Sequence, residues 1–315
     1  MRFFISSNIK NNAPLFTTVI LFLAFTLIFW ITNWFYFHWK YGITYSKLYS
    51  YFFTDPRFPE PLPLSQLLED IHIQIFLYSL FLLALSSIFV HKCVRDGIKY
   101  SLIISSFLSG FLEALSGLGV YFVSPLFIHL KIFFFIAFQF STGTMLAMAL
   151  KLYLSKEKEE PPERGILFTL VFIFAGTVLI FATMNFFLFV AKMGITPSSV
   201  ADYYLGNREL FIRKKTVSGL MSVFNPHLVS MAVYLFTVAH FAFFTNLKKK
   251  IYWSAVLFLS AFIDNLSGYL ILWGGPFFAY VKIISVIGLT LCLYYLSAVV
   301  MVSIIRHRAR PIVVL

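Results

Sequence analysis

A chain of 315 residues that is 60% hydrophobic and only 12% charged, with 40 phenylalanines, falls outside the composition of soluble domains, which carry about twice that charged share. Its net charge of +12 does not point to nucleic acid, because the Lys and Arg residues stand in short clusters beside apolar runs, as membrane topology requires. The two cysteines, Cys93 and Cys292, form no CxxC pair and supply no disulfide framework.

What remains is an all-α integral membrane protein with the lipid bilayer as its first partner. A bilayer core of about 30 Å takes about 20 apolar residues in a helix. The runs at 15–37, 71–90, 100–122, 126–150, 166–191, 227–245, 251–272 and 277–304 meet that length and predict eight transmembrane helices. The first run exceeds the apolar region of a signal peptide and no small-x-small cleavage site follows it, so it is expected to stay as a span. Lys and Arg gather around Arg2 and Lys10, at 92–99, at 151–164, at 248–250 and at 306–310, which predicts both termini to be cytoplasmic.

After the first span, KYGITYSKLYSYFF (40–53) and the proline-rich DPRFPEPLPL (55–64) read as a short external helix followed by a turn. Span two carries His72 near its outer end. Spans three and four enclose FLEALSGLGVYFVSPLFIHLKI (111–132), which places Glu113, His129 and Lys131 inside a hydrophobic hairpin. The charged segment KLYLSKEKEEPPERG (151–165) then reads as a cytoplasmic linker. Beyond span five, Thr196 is an N-cap with Pro197 at the first helical position, so a second short helix is expected, with Tyr203 and Tyr204 at the membrane interface. His227 opens span six.

The second half repeats the first. At an offset of 151, FIDNLSGYLILWGGPFFAYVKI (262–283) repeats Phe111, Leu115, Ser116, Gly117, Pro125, Phe127, Lys131 and Ile132, with Asp264 in the register of Glu113. At an offset of 152, KMGITPS (192–198) matches KYGITYS (40–46). Residues 1–150 and 166–315 are therefore expected to be two four-helix repeats. An even number of spans per repeat makes them parallel, related by a pseudo-twofold axis along the membrane normal.

Glu113 shares a helical face with Ser109, Gly110, Ser116 and Gly117, and Asp264 does so with Ser260, Ala261, Ser267 and Gly268. Small residues allow close helix approach in lipid, so both acids are expected to face protein. Buried ionisable groups of this kind are functional-site hypotheses. Glu113, Lys131, Asp264, Lys282, Ser116 and Ser267 form the polar intramembrane set. Three readings remain open: an ion pair within each hairpin, a polar site between the halves that changes protonation or binds a ligand, and lysines that snorkel outwards beside neutral acids.

Histidine offers another centre, since His72 and His227 from two helices could ligate haem b. The repeat register weakens the pairing, because an offset of 153 matches His72 with Asn225 and Gln74 with His227. His129 has Tyr280 as its counterpart and reads as interfacial. No HExxH, GxSxG, phosphate-binding or dinucleotide fingerprint occurs, so no enzyme activity is assigned.

The run GITPSSVADYYLGNREL, continuing into GLMSVFNPHLVSM, resembles a group of uncharacterised bacterial multi-pass membrane proteins. In these a GIT-like turn, a YxxG-type motif and a histidine-containing segment open a span, and an acid and a lysine follow in the next hairpin. The likeness covers most of residues 190–285 and, less closely, the first repeat. LLEDIHIQIF (67–76) keeps the first of two expected histidines and NPHLVSM the second. The resemblance implies a bacterial inner-membrane location and polar residues near the outer face, and carries no activity. The function expected is small-solute or proton-coupled transport, with a haem-binding or quinone-linked electron-transfer subunit as the alternative and a scaffold within a membrane complex as a third.

Overall fold

The computed structural model describes residues 9–55 and 57–308, so Arg2 and Arg310 of the expected cytoplasmic clusters lie outside the described residues. Among the described residues the regular elements are helices joined by loops, apart from a two-residue ribbon pairing β1 (Thr54–Asp55) with β2 (Phe58–Pro59) and an isolated bridge between Asn207 and Ile212. Among the described residues eight helices are long and apolar enough to cross a membrane, with mean hydropathy from 1.4 to 2.5 over their most apolar stretches. Their outward faces carry large apolar side chains such as Phe25, Phe140, Phe236 and Leu291, the pattern of helices solvated by lipid.

Contacts divide the chain into two compact units, Met1–Phe174 and Ala175–Leu315. In the first, the spans are α1 (Ala13–Lys40), α3 (Leu64–Phe89), α4 (Asp96–Phe122) and α5 (Phe127–Leu154), with the short helix α2 (Tyr45–Phe53) between α1 and the ribbon. α4 and α5 make the most extensive packing contact. Aromatic stacking fills this unit: Phe37 lies on Phe135 at 3.7 Å and Tyr78 on Phe138 at 4.4 Å between ring centroids. Gly110 leaves room for the second stack, since a Cβ there would come within 2.9 Å of Phe138.

Span α6 (Arg164–Met193) begins in the first unit and continues into the second. The second unit then repeats the order short helix and three spans: α7 (Pro197–Leu205), α8 (Val217–Phe243), α9 (Lys250–Gly274) and α10 (Phe278–Arg308). α7 begins as its sequence predicts. Thr196 and Ser199 form a capping box and Pro197 occupies the first turn, where its missing N–H costs nothing. Gly194 and Gly42 take positive φ in the turns before the two short helices, a conformation that glycine adopts freely.

Two spans begin earlier than apolar periodicity indicates. α3 starts at Leu64 rather than 71, because the polar turn containing Glu69 and Asp70 is helical without being apolar. α8 starts at Val217 rather than 227: Thr216 caps it by accepting from the Gly219 N–H at 3.1 Å, and the helix runs straight through Pro226. A proline breaks helices in water, but membrane helices tolerate it because neighbouring groups satisfy the freed carbonyl. His227 consequently lies almost three turns inside α8 rather than at its end.

Candidate functional site

The face of α4 that carries Ser109, Gly110, Glu113, Ser116 and Gly117 is buried along its whole length. Glu113 has no solvent exposure, and Lys131, one turn into α5, has 2%. Lys131 Nζ donates to Glu113 Oε1 at 2.5 Å and to the Glu113 carbonyl at 3.1 Å. That carbonyl also accepts from Ser116 Oγ at 2.6 Å. Tyr78 Oη donates to Glu113 Oε2 at 3.4 Å, and Lys131 Nζ lies 4.8 Å above the ring of Tyr41. Both charges are thus paired and hydrogen-bonded, the condition under which a buried ion pair is tolerated.

The Tyr41 ring also receives a second cation, Lys40 Nζ at 5.2 Å, and Tyr41 Oη accepts from Gln74 Nε2 at 3.5 Å. Lys40 in turn pairs with Asp70 at 2.5 Å, and Tyr51 of α2 donates to the other oxygen of Asp70. Burial and that carboxylate push the Tyr51 hydroxyl well above the ordinary tyrosine range, so it remains a donor at neutral pH. This extension through Lys40, Tyr41, Asp70 and Tyr51 was not legible as a site. Its signal was Lys40, which KMGITPS repeats as Lys192.

The second unit builds the same core with a different periphery. Lys282 Nζ donates to the Asp264 carbonyl at 3.0 Å and approaches Asp264 Oδ1 at 2.7 Å, while Ser267 Oγ donates to the same carbonyl at 2.6 Å. The Oδ1 contact is close but off-axis, an ion pair without an aligned hydrogen bond. The side chains of Asp264 and Lys282 retain 16% and 9% exposure, against 0% and 3% for Glu113 and Lys131. Tyr204 of α7 stands beside Lys282. Burial pushes the Tyr204 hydroxyl up, with Lys282 pulling it back and Asp264 adding to the rise.

The two short helices cover these hairpins alike. A Cβ on Gly117 would meet Leu67 at 3.0 Å and the Phe52 ring at 3.7 Å; one on Gly268 would meet Tyr204 at 2.9 Å. Phe52 and Tyr204 correspond at the offset of 152, so the second copy alone brings a hydroxyl to its lysine from this position. Neither lysine snorkels: Lys131 donates to the carboxylate and the carbonyl of Glu113, and Lys282 donates to the Asp264 carbonyl and pairs with its carboxylate.

The histidines stand apart from these sites. His227 is exposed on α8, with Nδ1 2.9 Å from the Val223 carbonyl of its own helix, and His72 is half-buried on α3 in the other unit. His129 stacks on Tyr45 of α2 at 5.0 Å, an interfacial contact. Among the described residues, no group of three or more His, Cys, Asp or Glu side chains is placed to hold a metal ion.

No curated protein and no solved structure matches the chain. A family described as a transmembrane helical domain, Aq_1264_TM, matches it twice, over residues 42–160 and 194–311. Each match opens at the glycine turn and takes in the short helix, three spans and the acid–lysine hairpin, so the duplicated site lies inside the family's own domain. The chain belongs to this family of transmembrane helical domains and carries two copies of the domain.

Proposed function

We propose that this integral membrane protein is a proton-coupled transporter of a small solute in the bacterial inner membrane, with both termini cytoplasmic. In this reading Asp264 and Lys282 are the working pair, and Glu113 and Lys131 anchor the first hairpin. The supporting observation is the contrast in enclosure: the Asp264 side chain is 16% exposed and its buried Oδ1 has no aligned hydrogen bond, against a Glu113 side chain with no exposure that Lys131 and Tyr78 both bond. An intramembrane acid that trades its charge for a proton needs access to water and a modest loss on neutralisation. Glu113 meets neither condition.

Protonation of Asp264 removes the charge opposite Lys282 and leaves that ammonium on the Asp264 carbonyl, beside Tyr204. Lys282 is then available to an anionic or carbonyl group of a solute, and α7, which carries Tyr204, covers the site. Proton flux into proteoliposomes containing a pH-sensitive dye tests this. Asp264→Asn is expected to lower flux to that of empty vesicles, while Glu113→Gln keeps its flux per folded molecule and loses stability. A hydrophobic carbodiimide should modify Asp264 and spare Glu113, as read by mass spectrometry. Wild-type flux undiminished in Asp264→Asn, or carbodiimide labelling of Glu113 in preference to Asp264, overturns the proposal.

A further inference from the structure

The two copies differ at the end of the hairpin opposite the acid–lysine pairs. In the first unit the linker folds back over that end and neutralises it. Glu157 pairs with Lys92 and with Lys151, the latter at 3.4 Å, and Glu160 pairs with Lys99 at 3.2 Å. Glu159 accepts from the backbone N–H groups of Ile9 and Lys10 at 2.6 and 2.7 Å. Lys99, with 1% exposure, is a buried cation whose partners are carboxylates from the linker and from Asp96.

At the repeat offset of 151, Lys99 corresponds to Lys250 and Ser155 to Arg306. The same end of the second unit has no strap of acids. From Ala175 onward the sequence has three acidic residues, Asp202, Glu209 and Asp264; the first two belong to the α7 region and the third to the hairpin pair. Instead there is a cavity of about 650 Å³, bordered by Lys248, Lys249 and Arg306, with Trp253, Tyr295 and Val302 among its walls. Among the described residues no acid lines it and no ion pair involves those three cations. Lys248 and Lys249 also stand at the positive end of the α9 dipole, where uncompensated cations are unfavourable.

We propose that this cavity binds the phosphate headgroup of an anionic phospholipid, which supplies to the second copy the negative charge that the linker supplies to the first. Basic pockets between spanning helices recognise such headgroups electrostatically. The walls suit a lipid rather than a free ion. Trp253 and Tyr295, with ring centroids 4.5 Å apart, form an amphipathic aromatic pair of the kind found at headgroup depth, and Val302 and Val299 line the wall along α10 between Arg306 and that pair.

The test titrates purified protein in neutral detergent with phosphatidylglycerol, phosphatidylcholine and inorganic phosphate, reading bound lipid by native mass spectrometry. Phosphatidylglycerol should bind selectively over phosphatidylcholine. Each cation is worth roughly fivefold in affinity, so Lys248→Gln/Lys249→Gln/Arg306→Gln should weaken binding on the order of a hundredfold. Arg208→Gln/Arg213→Gln/Lys214→Gln, which removes three cations at the α7 end, should leave it unchanged. Should the triple variant fail to fold, brominated phosphatidylglycerol carries the test: quenching of wild-type tryptophan fluorescence should exceed that of Trp253→Phe. Equal binding of both lipids, an unaffected triple variant, or equal quenching in Trp253→Phe overturns the proposal. Full displacement of the lipid by millimolar inorganic phosphate overturns the lipid assignment and marks the cavity as a phosphate site.

Discussion

Replacing Glu113 by Gln tests whether the first hairpin depends on its ion pair. The substitution keeps shape and removes charge, leaving the Lys131 ammonium at 2% exposure with no counter-ion. Removing one partner of a buried pair costs about 3–5 kcal/mol, because the other charge stays buried. Lys131 keeps the Glu113 carbonyl at 3.1 Å, the Tyr41 ring at 4.8 Å and a neutral amide oxygen in place of Oε1, so the expected cost lies near 3 kcal/mol. Asp264→Asn, at a pair with greater exposure, should cost about 1–2 kcal/mol. Equilibrium unfolding in mixed micelles, followed by far-ultraviolet circular dichroism, measures both. The double variant Glu113→Gln/Lys131→Met removes the orphaned charge and should recover about half of the loss, about 1.5 kcal/mol. A Glu113→Gln protein within about 0.5 kcal/mol of wild type, or a double variant no more stable than Glu113→Gln, would refute a structural role for the pair.

Two further outcomes follow from the geometry. Gly268→Ala places a Cβ 2.9 Å from the Tyr204 ring, which stands beside Lys282, so about 1–3 kcal/mol should be lost and α7 should become sensitive to protease; Gly117→Ala meets the flexible end of Leu67 at 3.0 Å and should be nearly neutral. Proteolysis and unfolding of the pair of variants check the order, and a larger loss at Gly117 would count against the close approach of α7. Burial pushes the His91 imidazole below its ordinary value, although Glu159 opposes this. The folded chain therefore takes up its proton later than the unfolded chain, and stability should fall as pH drops below about 6.5, by no more than about 1.4 kcal/mol per unit. Melting temperatures from pH 7.5 to 5.5 should show this slope in wild type and lose it in His91→Gln; an unchanged slope in the variant removes His91 as its source.

The spans, the duplication and the hairpin acids were legible because each rests on short-range regularities: apolar length, small-residue spacing and a fixed offset. The α7 start was legible for the same reason, since Thr196, Pro197 and Ser199 act within one turn. The α8 start was not, because whether Pro226 breaks a helix depends on its solvent and neighbours rather than on its own chemistry. Tyr78, Tyr41 and Asp70 reached the first site from α3 and from the end of α1, and such contacts carry no signature in a single sequence. The linker's acids read only as a solvated charged stretch. Their pairing with Lys92 and Lys99 depends on the linker turning back over α3 and α4.

Divergence between the copies separates what the hairpin requires from what each copy does with it. The acid's carbonyl receives its serine and its lysine in both units, at 2.6 and 3.1 Å in the first and 2.6 and 3.0 Å in the second. The lysine contact joins two helices and the serine contact stays within the acid's own helix, and neither depends on the acid's protonation state. The surroundings of the carboxylate have changed. Tyr41, which lies under Lys131, is matched at an offset of 152 by Met193, and Tyr78, which bonds Glu113, is matched at 153 by Met231. A thioether is a weak acceptor and no donor, so the second acid has lost the hydroxyl that completes the first. Glu has also become Asp, one methylene shorter, and Lys282 meets it off-axis. With a hydroxyl donor lost, a shorter acid and greater exposure, the Asp264 carboxylate has fewer partners than that of Glu113, while the carbonyl contacts that need no charge are kept in both copies.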